Sequence, residues 1–238
     1  MLIDAHVHVF PKVDGYGPKG HTHSAGYGRI DFGDGIAQDV LPAINENTSH
    51  TVQMLLREMQ QGKVDKAVLI LCPCYGDWSE YVLQACRDYP EQFTASAFFD
   101  PWSPAARQYY AEKLEGPSWK NIKIEFSEAG GLYGVYPGVQ LDALELRWLW
   151  EAMEADGKTV SFDLGRPGDG SYQTKQIAAI AKRHPGLKIV LCHMGQPSRL
   201  VERDPELWSA WLEQIRLGTL PNVWFDLSAL PYLSLIHI

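Results

Sequence analysis

Seven short apolar runs rich in β-branched residues recur along this chain: Leu2–His8, Lys66–Cys72, Phe93–Phe99, Asn121–Phe126, Thr159–Leu164, Leu187–Cys192 and Asn222–Leu227. Most are followed by a stretch with apolar positions three and four apart, at Thr51–Gln61, Trp78–Asp88, Ala105–Leu114, Asp142–Ala155, Tyr172–His184 and Pro205–Ile215. Period two in one stretch and 3.6 in the next reads as strand then helix. Ser103 with Pro104 at the first helical position, and Asp142 before a Leu/Trp face, read as helix starts. From the second run onward the strand starts lie about 27 to 38 residues apart, the spacing of β-α units, without a residue-level repeat. Continuous apolar strands between helices call for a parallel sheet covered on both faces. An open doubly wound sheet and a (β/α)8 TIM barrel both satisfy that. No G-x-G-x-x-G follows the first run, and polar residues gather at strand C-terminal ends, so the barrel is expected.

A barrel needs eight strands and the pattern supplies seven. After the seventh, residues 229–238 offer no eighth helix and little for an eighth strand. Ser234-Leu-Ile-His-Ile238 reads as translated sequencing adapter, the alternative being a short genuine strand. The expectation is one domain over 1–238 that lacks the eighth β-α unit, with a long Gly-rich connection at 10–50 serving as lid or binding loop. At 238 residues and 45% hydrophobic content there is material for one large core, which excludes disordered and collagen-like chains. A net charge of -8 spread without long runs argues against nucleic acid or an anionic membrane as partner. The longest apolar run, Ala67–Cys72, is too short to span a bilayer, and the first residues carry an acid and a histidine where a leader would be apolar. A cytoplasmic protein acting on a small molecule is expected, compatible with a homo-oligomer. Cys72 and Cys74 form a C-x-C that is read as two reduced thiols at the end of a buried strand rather than as a metal site.

Candidate chemistry collects on the strands. Period two puts Asp4, His6 and His8 on one face of the first strand, opposite Ile3, Ala5, Val7 and Val9. Two neighbouring imidazoles can reach one ion, and the competing reading is a pair of hydrogen-bonded histidines. On the fourth strand, Lys123 and Glu125 point away from the Ile and Phe positions. Inside a barrel such charges must pair, bind metal or touch substrate, and a structural ion pair is as good a reading as a catalytic one. The fifth strand sends Thr159, Ser161 and Asp163 to one side. Arg166 in the following Gly-rich loop can clamp a carboxylate or be an ordinary surface residue. His193, directly after the sixth strand, suits a ligand or general base, against a packing role. The seventh strand adds Trp224, Asp226 and Ser228 less specifically. His21, His23 and His50 lie in or beside the long connection, and the tryptophans, Trp148 and Trp150 among them, read as core.

Ile3-Asp-Ala-His-Val-His8, Val64-Asp-Lys-Ala-Val68, Asn121-Ile-Lys-Ile124 and Val190-Leu-Cys-His-Met-Gly195, in that order, resemble the amidohydrolase superfamily. Within it they are similar to the amidohydrolase-related branch that includes aminocarboxymuconate-semialdehyde decarboxylase and γ-resorcylate decarboxylase. The resemblance implies a (β/α)8 TIM barrel of the metal-dependent hydrolase type, with a divalent metal at its C-terminal mouth. It also implies hydrolysis or non-oxidative decarboxylation of a small carboxylated substrate. His6 and His8 match the paired metal ligands, and His193 matches the sixth-strand histidine, which acts as acid/base or assists the metal. The fifth-strand histidine ligand is replaced by Asp163, and the aspartate after the eighth strand has no counterpart. Two histidines and a carboxylate still make a site, for zinc or, being harder, for manganese or iron. His193 and Glu125 are then the expected catalytic groups, Lys123 and Arg166 the substrate-binding ones, and His6, His8 and Asp163 the metal ligands. A metal-free glycosidase-like barrel using Glu125 and Asp163 leaves H-x-H unexplained. A non-catalytic or inactivated barrel of the same family is the other alternative.

Overall fold

The chain divides into two units, Met1–Phe98 and Phe99–Ile238, in a computed structural model that describes residues 1–43 and 45–229. The first unit runs β1 (Ile3–Val7), β2 (Asp14–Gly17), β3 (Gly20–Gly26), β4 (Arg29–Asp31), β5 (Ala37–Asp39), α1 (Val52–Gly62), β6 (Lys66–Ile70), α2 (Ser79–Asp88) and β7 (Phe93–Phe98). Here β6 pairs in parallel with β1 on one side and β7 on the other. The pairing of β1 slips, with Asp4 opposite Ala67 but Val7 opposite Leu69. This bulge breaks the strict alternation expected of the first strand. Val7 and Val9 are buried as anticipated, but Ile3 is 47% exposed and Ala5 is exposed, so the apolar face is only half realised.

The connection expected as a loop at 10–50 carries a four-stranded antiparallel meander in the order β2-β3-β4-β5. Its apolar support is a small cluster of Phe10, Val13 and Ile30, packed against Phe32, Val40, Leu41, Tyr75 and Trp78. The meander is bonded to the turn after β6, through Asp14 N–H to the Tyr75 carbonyl at 3.1 Å and Tyr16 N–H to the Pro73 carbonyl at 2.9 Å. A Cβ at position 15 would sit 2.1 Å from the Pro73 carbonyl oxygen, so only glycine permits this approach. Helix α1 starts at Thr51, whose hydroxyl accepts from Met54 N–H at 3.3 Å, and buries Val52, Leu55 and Met59.

The second unit runs α3 (Ala106–Tyr109), a π turn at Tyr110–Leu114, β8 (Asn121–Glu125), α4 (Leu132–Val135), α5 (Arg147–Ala155), β9 (Thr159–Asp163), α6 (Thr174–Arg183), β10 (Lys188–Leu191), α7 (Arg199–Arg203), α8 (Pro205–Ile215) and β11 (Val223–Phe225). Its parallel pairs are β8 with β9, β9 with β10 and β10 with β11. Ile122, Ile124, Val160, Phe162 and Ile189 on the strands and Leu149, Trp150, Met153, Ile177 and Ile180 on the helices are all fully buried, with Trp150 and Phe162 in ring contact. All seven expected strands are present, three in the first unit and four in the second, each ending within two residues of its apolar run.

Two expected helix starts are corrected. Ala105 precedes α3 without a side-chain cap, and a 3-10 turn at Leu144–Leu146 separates Asp142 from α5. Of the tryptophans, Trp150 and Trp119 are core, but Trp208 and Trp224 are exposed. The expectation for 229–238 falls, beyond Ala229, outside the described residues. No helix among the described residues is long and apolar enough to cross a membrane.

A built cap does exist at α8. Asp204 accepts from Glu206 N–H at 2.9 Å and Leu207 N–H at 3.2 Å, and Pro205 occupies the first turn, where its missing N–H costs nothing. Replacing Asp204 with Ala should cost about 1 kcal/mol in urea unfolding, and an unchanged midpoint would show that the bonds add nothing to stability.

Candidate functional site

In the second unit the register sets Lys123 beside Ser161 and Glu125 beside Asp163. Ile122 and Ile124 take one face of β8, so Lys123 and Glu125 must take the other, and this face is buried too: Lys123 is 1% exposed. Burial of three ionisable groups is tolerable because they pair. Lys123 Nζ lies 3.1 Å from Glu125 Oε2 and 3.9 Å from Asp163 Oδ2. Ser127 donates to Glu125 at 2.7 Å. Asp163 accepts from His193 Nε2 at 3.0 Å, from Gln196 Nε2 at 2.8 Å and from Gly165 N–H at 3.1 Å.

The two carboxyls are driven apart by these surroundings. Burial and the neighbouring Asp163 charge push Glu125 above its ordinary value, with Lys123 only partly compensating. Burial acts on Asp163 in the same sense, but the His193 hydrogen bond and the Lys123 charge outweigh it, and Asp163 stays well below the usual carboxylate range. Burial would lower His193, yet its bond and charge contact with Asp163 raise it.

His193 owes its position to an unusual turn. His193, Met194, Gly195 and Gln196 have φ of 58, 52, 68 and 56°, four consecutive left-handed residues of which only one is glycine. Such backbone persists only where its surroundings over-determine it. Asp226 supplies much of that, its carboxylate accepting from His193 N–H at 2.7 Å and its carbonyl from Met194 N–H at 2.8 Å. Tyr172 OH donates to the Gly195 carbonyl at 2.8 Å, and Trp211 Nε1 to the Met194 carbonyl at 2.9 Å. Ser228 Oγ donates to the Asp226 carboxylate and lies 2.8 Å from His193 Nδ1. With that hydroxyl proton on Asp226, the Ser228 oxygen accepts from Nδ1–H while Nε2–H donates to Asp163. Both ring nitrogens are then donors, the protonated imidazole.

In the first unit, His6 and His8 lie with ring centroids 5.0 Å apart. His8 Nδ1 is 2.8 Å from the Ile70 carbonyl, which fixes the proton there and leaves Nε2 as the lone-pair nitrogen. The Asp4 carboxylate accepts from His6 N–H at 3.1 Å. His50 supports the strand from behind, with Nδ1 2.7 Å from the His8 carbonyl and Nε2 3.0 Å from Glu58. His21 and His23 belong to the meander and contact Asp14 and Asp31.

The structure therefore joins Lys123, Glu125, Asp163 and His193 within one unit, and His6 with His8 within the other. Arg166 is not part of that network. It lies on the exposed loop after β9, its nearest anionic neighbour Asp169 at 3.8 Å. Trp224, expected beside Asp226 and Ser228, is 48% exposed and does not share their setting. Nothing in the sequence pattern points to Gln196, and alternation on the seventh strand marks Asp226 and Ser228 only weakly.

An α/β chain of repeated strand-helix units, with ionisable groups at the strand C-terminal ends, is the architecture of barrel enzymes. The Amidohydrolase family profile matches residues 3–234, and the chain belongs to that family. Among solved structures it is similar to an amidohydrolase from Burkholderia multivorans with bound HEPES, at 19% identity and a TM-score of 0.66, covering 98% of this chain and 72% of that one. A second structure described as an amidohydrolase from Burkholderia multivorans, with bound zinc, matches at 17% identity and a TM-score of 0.64 over the same shares. A probable 2-pyrone-4,6-dicarboxylic acid hydrolase from Acinetobacter baumannii, with citric acid bound, matches at 16% identity and a TM-score of 0.64, again covering 98% and 72%. No curated protein matches the chain. The fold is that of the TIM-barrel-like amidohydrolases, with seven parallel strands among the described residues where a closed barrel has eight.

Proposed function

We propose that this protein is a metal-dependent hydrolase or non-oxidative decarboxylase of a small carboxylated substrate. The metal would be a divalent ion held by His6, His8 and Asp163. The observation that carries this is His8 itself, whose Nδ1 faces the Ile70 carbonyl at 2.8 Å and whose Nε2 is thereby set up as a donor atom. Asp163, kept ionised in a buried setting, adds the hard carboxylate such a site uses. The zinc in one similar structure supports zinc, and the carboxylate donor leaves manganese and iron as competitors. When bound, a divalent ion lowers the pKa of water and polarises a substrate oxygen.

The chain's own groups would divide the remaining work. His193 gives or takes a proton at Nε2, where Asp163 orients the ring. Glu125, pushed above its ordinary value, can hold a proton at a pH where Asp163 cannot. Lys123 neutralises the carboxylate pair, and Lys123 or Arg166 orients the substrate carboxylate. Citric acid in one relative is in keeping with a polycarboxylate ligand.

A second ligand set, His6, His193 and Asp226, also offers two imidazoles and a carboxylate. It is favoured by the buried Asp226 carboxylate bonded directly to the His193 backbone, and it would make His193 a ligand rather than a base.

Replacing His6 and His8 together with Ala should lower metal affinity by at least about 10- to 100-fold, with far-UV circular dichroism unchanged. Metal content by mass spectrometry and turnover on a panel of di- and tricarboxylates, followed for carbon dioxide release, read out the proposal. A double variant that retains full metal would remove its basis. Stoichiometric metal without turnover on any carboxylate would favour the inactivated-barrel alternative.

A further inference from the structure

The C-x-C of the first unit takes no part in that chemistry, and the fold has placed it with care. Cys72 lies two residues past the end of β6, and Cys72–Tyr75 forms a turn closed by Tyr75 N–H to the Cys72 carbonyl at 3.1 Å. Pro73 stands at the second position of that turn, where its fixed φ is favourable. A turn here brings Cys72 and Cys74 closer than the roughly 6.5 Å rise that separates residues i and i+2 of a straight strand. Their sulfurs lie 3.1 Å apart, both residues are half-buried, and neither is in a disulfide.

We propose that Cys72 and Cys74 are a dithiol/disulfide modification site, closed by a peroxide oxidant within one turn of the chain. One thiolate attacks a peroxide oxygen, breaking the O–O bond to give a sulfenic acid and, after protonation, one water. The second thiol sulfur then attacks the sulfenic sulfur, forming the S–S bond and releasing the hydroxyl as a second water. Two thiols and one hydrogen peroxide give one disulfide and two waters, so protons and electrons balance. The second step is fast when the partner sulfur is already adjacent, and a 3.1 Å separation makes it so.

The other two cysteines make a contrast within the same molecule. Burial pushes the Cys86 thiol up to about 11, against the partial compensation of Arg87. Burial likewise raises the Cys192 thiol well above its usual value. Thiols of that kind supply little thiolate, the reactive form. The turn is also the seat of the meander: the carbonyls of Pro73 and Tyr75 accept from Tyr16 and Asp14, and that of Cys74 from the Thr22 hydroxyl. A covalent loop spanning three residues constrains those carbonyls, so oxidation is transmitted to β2 and β3. Short loops of this kind are strained, which makes the bond readily reducible and the site reversible.

The test treats the full chain with hydrogen peroxide, then counts thiols under denaturing conditions and maps the product by mass spectrometry. The expected result is loss of two of the four thiols. The peptide holding residues 72 and 74 should be lighter by two hydrogen atoms and be restored by dithiothreitol. Cys74→Ser should instead carry added oxygen at Cys72. Four surviving thiols, oxygen added to Cys72 or Cys74 in the unaltered chain, or a disulfide to another chain would each overturn the proposal. The wild-type map decides the matter whether or not the serine variant folds.

Discussion

Replacing Lys123 with methionine should destabilise the second unit by about 3–5 kcal/mol in urea unfolding. Methionine keeps most of the apolar stem, so packing changes little and the lost ammonium accounts for the effect. What remains is Glu125 and Asp163, buried with like charge and without the cation 3.1 and 3.9 Å from them. Glu125, already pushed above its ordinary value, would respond by taking up a proton. The sign with pH follows. A carboxyl whose folded pKa is raised binds a proton more tightly folded than unfolded, so the deficit shrinks as pH falls toward that raised value and grows above it. The double variant Lys123→Met, Glu125→Gln removes one charge of each sign and should recover part of the loss, the coupling being read from a double-mutant cycle. A single-variant loss below about 1 kcal/mol would mean the ammonium is not what makes these carboxylates tolerable.

That network was legible in the sequence because a strand buried on both faces leaves a charge nowhere to go. Lys123 and Glu125 announced themselves by interrupting Ile122, Ile124 and Phe126 with ionisable groups at period two, and Asp163 did the same on the next strand. The parallel strands were legible for a related reason: buried on both sides, they are continuous apolar runs. The meander had no such signal. Gly20–Gly26 contains no large apolar side chain, and Ala37–Asp39 is exposed throughout. Their order comes from ladder bonds and from docking on the turn at 73–75, which is tertiary information. The helix starts at Ser103 and Asp142 failed because cap chemistry marks where a helix can begin, and the first helical turn formed two or more residues later in each case.

A backbone feature hides the roles of Gln196, Asp226 and Ser228 from the sequence. Three non-glycine residues at positive φ carry no mark in a sequence, so nothing showed that the chain after His193 turns back on itself. The same turn delivers the Gln196 amide to Asp163 and the Asp226 carboxylate to the His193 N–H. His193 stands out in the sequence by its place at a strand end. What fixes its protonation, Asp163 on one nitrogen and Ser228 on the other, could only come from the folded arrangement.

Asp163→Ala and Asp163→His should part company, and the difference identifies the carboxylate that holds the metal. Alanine removes the acceptor for His193, Gln196 and the Gly165 N–H and the second anion near Lys123, all in a buried place. A loss of about 3–5 kcal/mol is expected on that ground alone. If Asp163 is a ligand, metal affinity should also fall by at least about 10- to 100-fold, since only the first-strand pair remains. Histidine at this position loses the same negative charge, so stability should again drop, Lys123 then relying on Glu125 alone. Its imidazole nevertheless offers a lone pair where the resemblance to the amidohydrolases implies a histidine ligand, and metal should be kept or bound more tightly. Stability and metal binding thus fall together in one variant and separate in the other, which a merely structural aspartate would not produce. Asp226→Ala supplies the opposing case. If His6, His193 and Asp226 form the ligand set, that variant loses metal while Asp163→Ala retains it. Equal metal affinity in Asp163→Ala and the unaltered chain, measured by calorimetric titration of the apo protein with zinc, would reduce Asp163 to an ion-pair partner of Lys123 and His193.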